Sequence, residues 1–242
     1  MNSGFYDIHC HILSGVDDGA PNFFDALEMV RIAREDGTRH LVLTPHYHVG
    51  HYELPAENLR DRFLIIQNEV AMLYPDMRLY LGAEICYHEA AAKKLEQNKL
   101  LTMADTDYVL VEFFPQTEQR VILQGLQEIQ MVGKQPILAH VERYEKLVGD
   151  YDAIEQLIRM GFYIQINAAS VLGKSGRKVK KFTQKLLQNG QVDFIGSDAH
   201  GIKHRRPVLS ECAAYIRKKW GDDYVNELLV QNPRKMLSGK YL

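Results

Sequence analysis

Histidines and carboxylates recur along this 242-residue chain at positions from which they could hold metal ions. His9 and His11 stand two apart, Asp18 follows, and His46, Glu84, Glu112, His140, Asp198 and His200 are spread over the rest. In an extended strand residues i and i+2 face the same side, so His9 and His11 can point together while Cys10 points away. Imidazole nitrogens combined with carboxylate oxygens form the ligand set of Zn, Mn, Fe or Co rather than of Ca or Mg alone. Any one of these residues taken alone reads as a hydrogen-bonded loop histidine or a helix-capping acid. Their common placement on the secondary structure is what gives them weight.

Short apolar runs alternate with longer helical patterns from end to end. Strands are expected at Phe5–His9, His40–Thr44, Arg78–Glu84, Tyr108–Glu112, Gln135–Ala139, Tyr163–Asn167 and Asp193–Ser197. Runs such as LVL, YVLVEF and PILA are continuously apolar, as in parallel strands buried on both faces. Asn22 can cap a helix that runs to about Glu35 and stops at Gly37. Further helices fit Ala56–Tyr74, Ile122–Val132, Asp152–Met160, Lys178–Gln188 and Leu209–Lys219, with a last one near Asp222–Val230 ending before Asn232-Pro233. The expected fold is α/β, a single-domain distorted (β/α)7-type, TIM-like barrel. On that map the candidate ligands fall at the C-terminal ends of six strands, the face on which β/α barrels build active sites.

Composition is consistent with this picture and excludes other classes. Hydrophobic residues make up 46% and charged residues 25%, with a net charge of −2, so neither nucleic acid nor a membrane surface is indicated as the main partner. No apolar run reaches the roughly 18 residues of a spanning helix, and the N-terminus has no signal-peptide pattern. Cys10, Cys86 and Cys212 are too few and too irregular for a disulfide framework, and a reducing cytoplasm is expected.

The segments DIHCHILSGVDDGA, TPHYH, GAEI, VLVEF, LAHVERY and GSDAH resemble those of the PHP (polymerase and histidinol phosphatase) family. They are closest to its bacterial branch of capsule-regulating, manganese-dependent tyrosine phosphatases, and the likeness extends to the closing Asn-Pro-Arg. Many other PHP enzymes carry histidines where Glu112 and Asp18 stand here. The resemblance implies about three divalent metal ions, Mn first, with Fe, Zn, Co or Mg as alternatives. His9, His11, Glu84 and Asp198 would hold one ion; Glu84 would bridge to a second, completed by Glu112 and His140; Asp18, His46 and His200 would hold the third. It also implies attack of metal-activated hydroxide on phosphorus, with a tyrosyl leaving group of pKa about 10. Arg143 and Arg206 are then candidates for clamping the phosphate. The implied partner is a phosphotyrosine protein, namely the tyrosine-rich tail of a bacterial tyrosine kinase of exopolysaccharide synthesis.

Two other readings use the same residues: hydrolysis of a small phosphomonoester such as histidinol phosphate, and a non-catalytic binding module. Ala168–Ser175 superficially resembles a phosphate-binding loop, but Ala168 replaces its first glycine, and a simple turn is expected. A cysteine-based tyrosine phosphatase needs an arginine six residues after its nucleophile, where this chain has Val16, Ala92 and Lys218. His48, His51, His88 and His204 are read as rim residues. The basic run Lys174, Arg177, Lys178, Lys180 and Lys181 is read as a solvated face that could also attract an acidic phosphopeptide.

Overall fold

The computed structural model describes residues 4–242. Its strands are β1 (Phe5–Cys10), β2 (Thr38–Leu43), β3 (His46–Tyr47), β4 (Arg78–Leu81), β5 (Glu84–Cys86), β6 (Tyr108–Glu112), β7 (Gln135–Leu138), β8 (Tyr163–Asn167) and β9 (Phe194–Gly196). Every ladder between them is parallel, in the orders β1-β2-β4 and β3-β5-β6-β7-β8-β9.

These two sheets form one curled wall. β2 and β3 are successive pieces of a single path interrupted at Thr44-Pro45, and β4 and β5 are interrupted at Gly82-Ala83. Pro45 has no N–H to give to a ladder. Across the break Gly82 N donates to Leu43 O at 2.8 Å and Glu84 N to Pro45 O at 3.0 Å, so the paths stay in register. The wall meets itself where Asp198 N donates to His9 O and His11 N donates to Ala199 O, both at 2.8 Å. The result is a distorted parallel barrel in which nine strand segments fill the seven expected strand positions.

Helices α1 (Phe23–Glu35), α2 (Ala56–Leu73), α3 (Ala91–Glu96), α4 (Gln119–Met131), α5 (Tyr151–Arg159), α6 (Ala168–Leu172), α7 (Arg177–Gln188), α8 (Ser210–Trp220), α9 (Asp222–Asn226) and α10 (Asn232–Leu237) connect and follow the strands. Asn22 caps α1 by accepting from Asp25 N at 2.9 Å, and Gly37 follows with φ 102°. α4 starts three residues earlier than its apolar periodicity suggests, and the six-residue α3 gave no periodic signal.

Two local expectations are corrected. Residues 168–172 are helical, and only the end of that segment turns, at Gly173 with φ 92°. Nor does Asn232-Pro233 end the last helical stretch. A wide turn over Glu227–Gln231 lets Asn232 N reach Glu227 O, and Pro233 sits in the first turn of α10, where its missing N–H leaves no gap. This continuation matters, because Met236 of α10 packs with Val42, Leu110, Ile137 and Phe194, residues drawn from four strands around the barrel. A larger cluster joins the outer strand faces to the helices, including Val109, Val111, Leu138, Ile164 and Ile166 with Ile129, Leu157 and Leu186.

Two glycines are required by close approach. A Cβ at Gly196 would lie 2.7 Å from the Cβ of His9, and one at Gly19 would lie 2.1 Å from the His11 carbonyl oxygen. Gly196→Ala should therefore lower stability by about 1–3 kcal/mol, the usual cost of overpacking a filled core. Chemical denaturation would test this; an unchanged midpoint would show that the β1–β9 seam has slack the packing denies.

Candidate metal centre

Strand ends deliver the candidate ligands to one place. His9 and His11 lie at and just beyond the end of β1, His46 starts β3, Glu84 starts β5, Glu112 ends β6, His140 follows β7, and Asp198 and His200 follow β9. Glu84 is fully buried and stands at the centre. Its Oε2 lies 3.2 Å from His9 Nε2, 3.2 Å from His11 Nε2 and 3.1 Å from His46 Nδ1, while Oε1 lies 2.7 Å from His140 Nε2. Asp198 Oδ1 is 3.5 Å from His9 Nε2 and 3.6 Å from His11 Nε2. Glu112 reaches His46 Nδ1 at 3.2 Å and His140 Nε2 at 3.7 Å. Asp18 Oδ1 stands between His46 Nε2 and His200 Nε2, at 3.5 and 3.4 Å. The structure thus brings all nine side chains into one continuous cluster.

These spacings suit cations. Ligand atoms about 2.1 Å from a tetrahedral ion are separated by about 3.4 Å, close to the distances observed. Three sets of donor atoms converge closely enough to share an ion: His11, Asp18, His46 and His200; His9, His11 and Glu84; and His46, Glu84 and Glu112. Glu84 Oε2, Asp198 Oδ1 and His200 Nε2 are buried with no hydrogen-bond partner, so each has an orphan electron pair at the cluster. A buried carboxylate oxygen in that condition is costly unless positive charge faces it.

The electrostatics agree. Burial favours a neutral His9 ring, but the Glu84 and Asp198 carboxylates outweigh it and raise its pKa. Burial likewise opposes charge on His11, yet its bond to Asp17 and the adjacent Glu84 carboxylate push it up to about 10. For Glu84, the surrounding imidazoles overcome desolvation and hold the carboxyl well below its usual range. His200, by contrast, falls to about 3 through burial and the nearby His11 and Arg205 charges. The site is therefore built for positive charge, and protons on His9 and His11 compete with metal for the same lone pairs.

A second layer of side chains fixes the first. Asp17 Oδ2 accepts from His11 Nδ1 at 2.8 Å and from His46 N at 3.0 Å. Gln165 Oε1 faces His9 Nδ1 at 3.2 Å and accepts from His140 N at 2.8 Å. Asn167 Nδ2 donates to Asp198 Oδ2 at 2.8 Å, and Arg143 Nη2 donates to the same oxygen. Such contacts set ring orientation and tautomer. His140 and Asp198 occupy left-handed backbone at φ 31° and 53°, a strain that recurs at functional sites.

Arg143 lies at the edge of the cluster, with its Nη2 donating to Asp198 Oδ2. Arg206 is an exposed wall residue of the adjoining cleft and makes no ion pair to the cluster among the described residues. Its neighbour Arg205, at φ 46°, places Nη2 2.7 Å from Asp198 Oδ1, within ion-pair range although not aligned as a hydrogen bond. The sequence reading missed Asp17, Gln165, Asn167 and Arg205. Gln165 and Asn167 carried a usable signal, since polar residues two apart in the apolar strand YIQIN share one face. His48 and His51 are close together near the rim, His204 is exposed in the cleft, and His88 packs near Tyr47, away from the cluster.

Comparison with known proteins places this geometry. The chain is 34% identical over 236 residues to the tyrosine-protein phosphatase CpsB of Streptococcus pneumoniae, covering 96% of this chain and 97% of that protein. It is 30% identical to the tyrosine-protein phosphatase YwqE of Bacillus subtilis, covering 96% of this chain and 91% of that one. A solved structure from work on YwqE and CpsB, described there as metal-dependent tyrosine phosphatases, superposes with a TM-score of 0.89 at 29% identity over 97% of this chain and 95% of that chain. The phosphotriesterase homology protein of Escherichia coli, at 12% identity and a TM-score of 0.65 over 97% of this chain and 99% of that one, shares the fold. The family model described as capsular polysaccharide synthesis, CpsB/CapC, matches residues 5–238, and the chain belongs to that family.

Proposed function

We propose that this chain is a metal-dependent protein-tyrosine phosphatase that works as one domain. His9, His11, Asp18, His46, Glu84, Glu112, His140, Asp198 and His200 hold about three divalent ions, Mn first and Fe, Zn, Co or Mg as other occupants. The observation that carries this reading is the buried Glu84 carboxylate, met by four imidazole nitrogens at 2.7 to 3.2 Å and left with an orphan oxygen. The family resemblance would assign His9, His11, Glu84 and Asp198 to one ion, Glu84, Glu112 and His140 to the next, and Asp18, His46 and His200 to the third, whereas the donor atoms that converge most closely put His46 with Glu84 and Glu112 and add His11 to the third set. When bound, such ions depress the pKa of coordinated water and neutralise phosphoryl oxygens.

The chain's own groups supply positioning. Asp17 and Gln165 hold the His11 and His9 rings in place, and Asn167 and Arg143 fix Asp198. The planar donors of Arg143, backed by Arg205, suit a phosphoryl group brought to the cleft beside Asp198. Arg206 is better placed to meet the polypeptide than the phosphoryl group.

The mouth suits a side chain projecting from a protein. Asp18 is 51% exposed, and His46 and Glu112 are only partly covered. Phe114, 58% exposed, lies beside His48 with ring centroids 5.5 Å apart and offers a tyrosyl ring an apolar surface. The capsular family and the named activity of its members support, as substrate, the tyrosine-rich tail of a bacterial tyrosine kinase of capsule synthesis. A cytoplasmic location agrees with three buried free cysteines, and no helix among the described residues is long and apolar enough to cross a membrane.

Replacing Glu84 by Gln keeps the shape and removes the charge. The variant should fold with an unchanged circular-dichroism spectrum, carry less metal and lose hydrolysis; wild-type metal content and turnover would refute the assignment. In parallel assays, kcat/KM should be higher for a phosphotyrosine peptide than for histidinol phosphate or a phosphoserine peptide. Arg143→Ala should cut turnover of the peptide by about 10²–10³, as loss of a preorganised charge donor does. Preference for histidinol phosphate would transfer the site to small phosphomonoesters.

A further inference from the structure

On the flank of the barrel a groove of about 700 Å³ runs between α7, the end of α8 and Tyr151 at the start of α5. Arg177, Lys180, Lys181, Lys185 and Lys219 line it, together with the chain's single tryptophan, Trp220, and no acidic side chain does. This one-signed wall comes directly from the sequence, which has no Asp or Glu between Glu155 and Asp193. Some surface cations elsewhere are paired, as Arg31 is with Glu28, Arg60 with Asp105 and Lys174 with Glu211; what distinguishes the groove is that its cations are gathered on one wall with no acidic side chain among them. Among the described residues Arg177, Lys178, Lys180, Lys181 and Lys185 make no ion pair; Lys185 Nζ reaches only Gln188 Oε1, at 3.4 Å. Lys219 lies over the Tyr215 and Trp220 rings at 5.4 and 5.8 Å, which holds it along the groove.

The groove and the cleft beside the candidate metal centre are separate cavities whose linings come within two residues of each other along the chain. Lys174 and Ser175 line the cleft beside Asp198 and Arg143, and Arg177, two residues on, opens the groove. The twelve residues of α7 extend about 18 Å at 1.5 Å each, the length of five or six residues of extended chain at about 3.3 Å each. A polypeptide whose phosphotyrosine reaches Asp198 can therefore lay its next residues past Lys174 and along α7.

We propose that this groove is a docking site for an acidic segment of the substrate polypeptide, adjacent to the phosphotyrosine that is hydrolysed; the proposal rests on the phosphatase reading above. Charge complementarity selects the class of occupant: unpaired cations with an aromatic side chain suit carboxylate-bearing peptide better than a neutral chain. A bilayer is a poorer match, because the large exposed apolar residues, such as Phe24, Ile65, Met72 and Met131, all lie on other elements. Nucleic acid is a poorer match to a chain whose net charge is −2.

The test uses the metal-loaded full chain and three probes. The first is a phosphotyrosine peptide followed by six glutamates, the second has six glutamines there, and the third is p-nitrophenyl phosphate. The glutamate peptide should show the lower KM, by about tenfold, as expected of roughly three exposed charge pairs, and high salt should erase the difference. The triple variant Lys180→Gln, Lys181→Gln, Lys185→Gln should lose that advantage while its kcat and its rate on p-nitrophenyl phosphate stay unchanged. An unphosphorylated glutamate peptide should also shift Trp220 fluorescence in the wild type and not in the variant. Equal KM values for both peptides, or fluorescence that responds only to anionic vesicles or to nucleic acid, would overturn the proposal. If no phosphotyrosine peptide is hydrolysed, the phosphatase reading fails, and the fluorescence titration still decides whether the groove binds acidic peptide.

Discussion

The constraint on which the rest of the structure depends is the concentration of charge around Glu84. Four carboxylates and five imidazoles meet in a space where Glu84, His9 and His11 have no contact with solvent. Burying one unpaired carboxylate already costs several kcal/mol, and this cluster leaves oxygens of Glu84 and Asp198 without hydrogen-bond partners. Bound cations would remove that cost and convert it into affinity, because the same orphan lone pairs that destabilise the bare cluster would become ligands. Much of the surrounding structure follows from holding these groups together. Gly19 and Gly196 leave room for His11 and His9, and His140 and Asp198 accept left-handed backbone to aim inward.

Much of this was legible in the sequence because period and position are strong signals. Apolar parallel strands mark themselves by continuous hydrophobic runs, so all seven strand positions could be found. A histidine or acid at the end of such a run points to the barrel's catalytic face. What stayed hidden depends on local geometry. Of the adjacent pair Asp17 and Asp18, one enters the cluster and the other braces His11 and the His46 backbone, and the turn decides which. The neighbours Arg205 and Arg206 differ only in which one the backbone turns toward Asp198. The break at Gly82 was invisible because the chain resumes the same ladder on its far side, and for the same reason the strand expected to stop at Thr44 gave no sign of resuming at His46 beyond Pro45. Pro233 misled for a related reason: it stops a regular helix but fits the first turn of a new one.

Charge is distributed over the molecule in an orderly way. Negative and neutral ligands are gathered inside the mouth, guanidinium groups stand at its edge, and an unpaired basic wall runs away from it along α7. On the proposed reading, a phosphorylated acidic polypeptide would meet each region in turn: metal ions for its phosphoryl group, arginines for its oxygens, lysines for its flanking carboxylates. A small phosphomonoester uses only the first two. The weak overall charge of −2 conceals this separation, which appears only when the fold assigns each residue to a face.

The most direct test of the account is to count and identify the metals in protein never exposed to a chelator, by elemental analysis combined with anomalous scattering from crystals. The account predicts about three first-row divalent ions, Mn foremost, with anomalous peaks between His9 and Asp198, between Glu84 and His140, and between Asp18 and His200. Active protein with no bound transition metal, or with peaks away from Glu84, would contradict it.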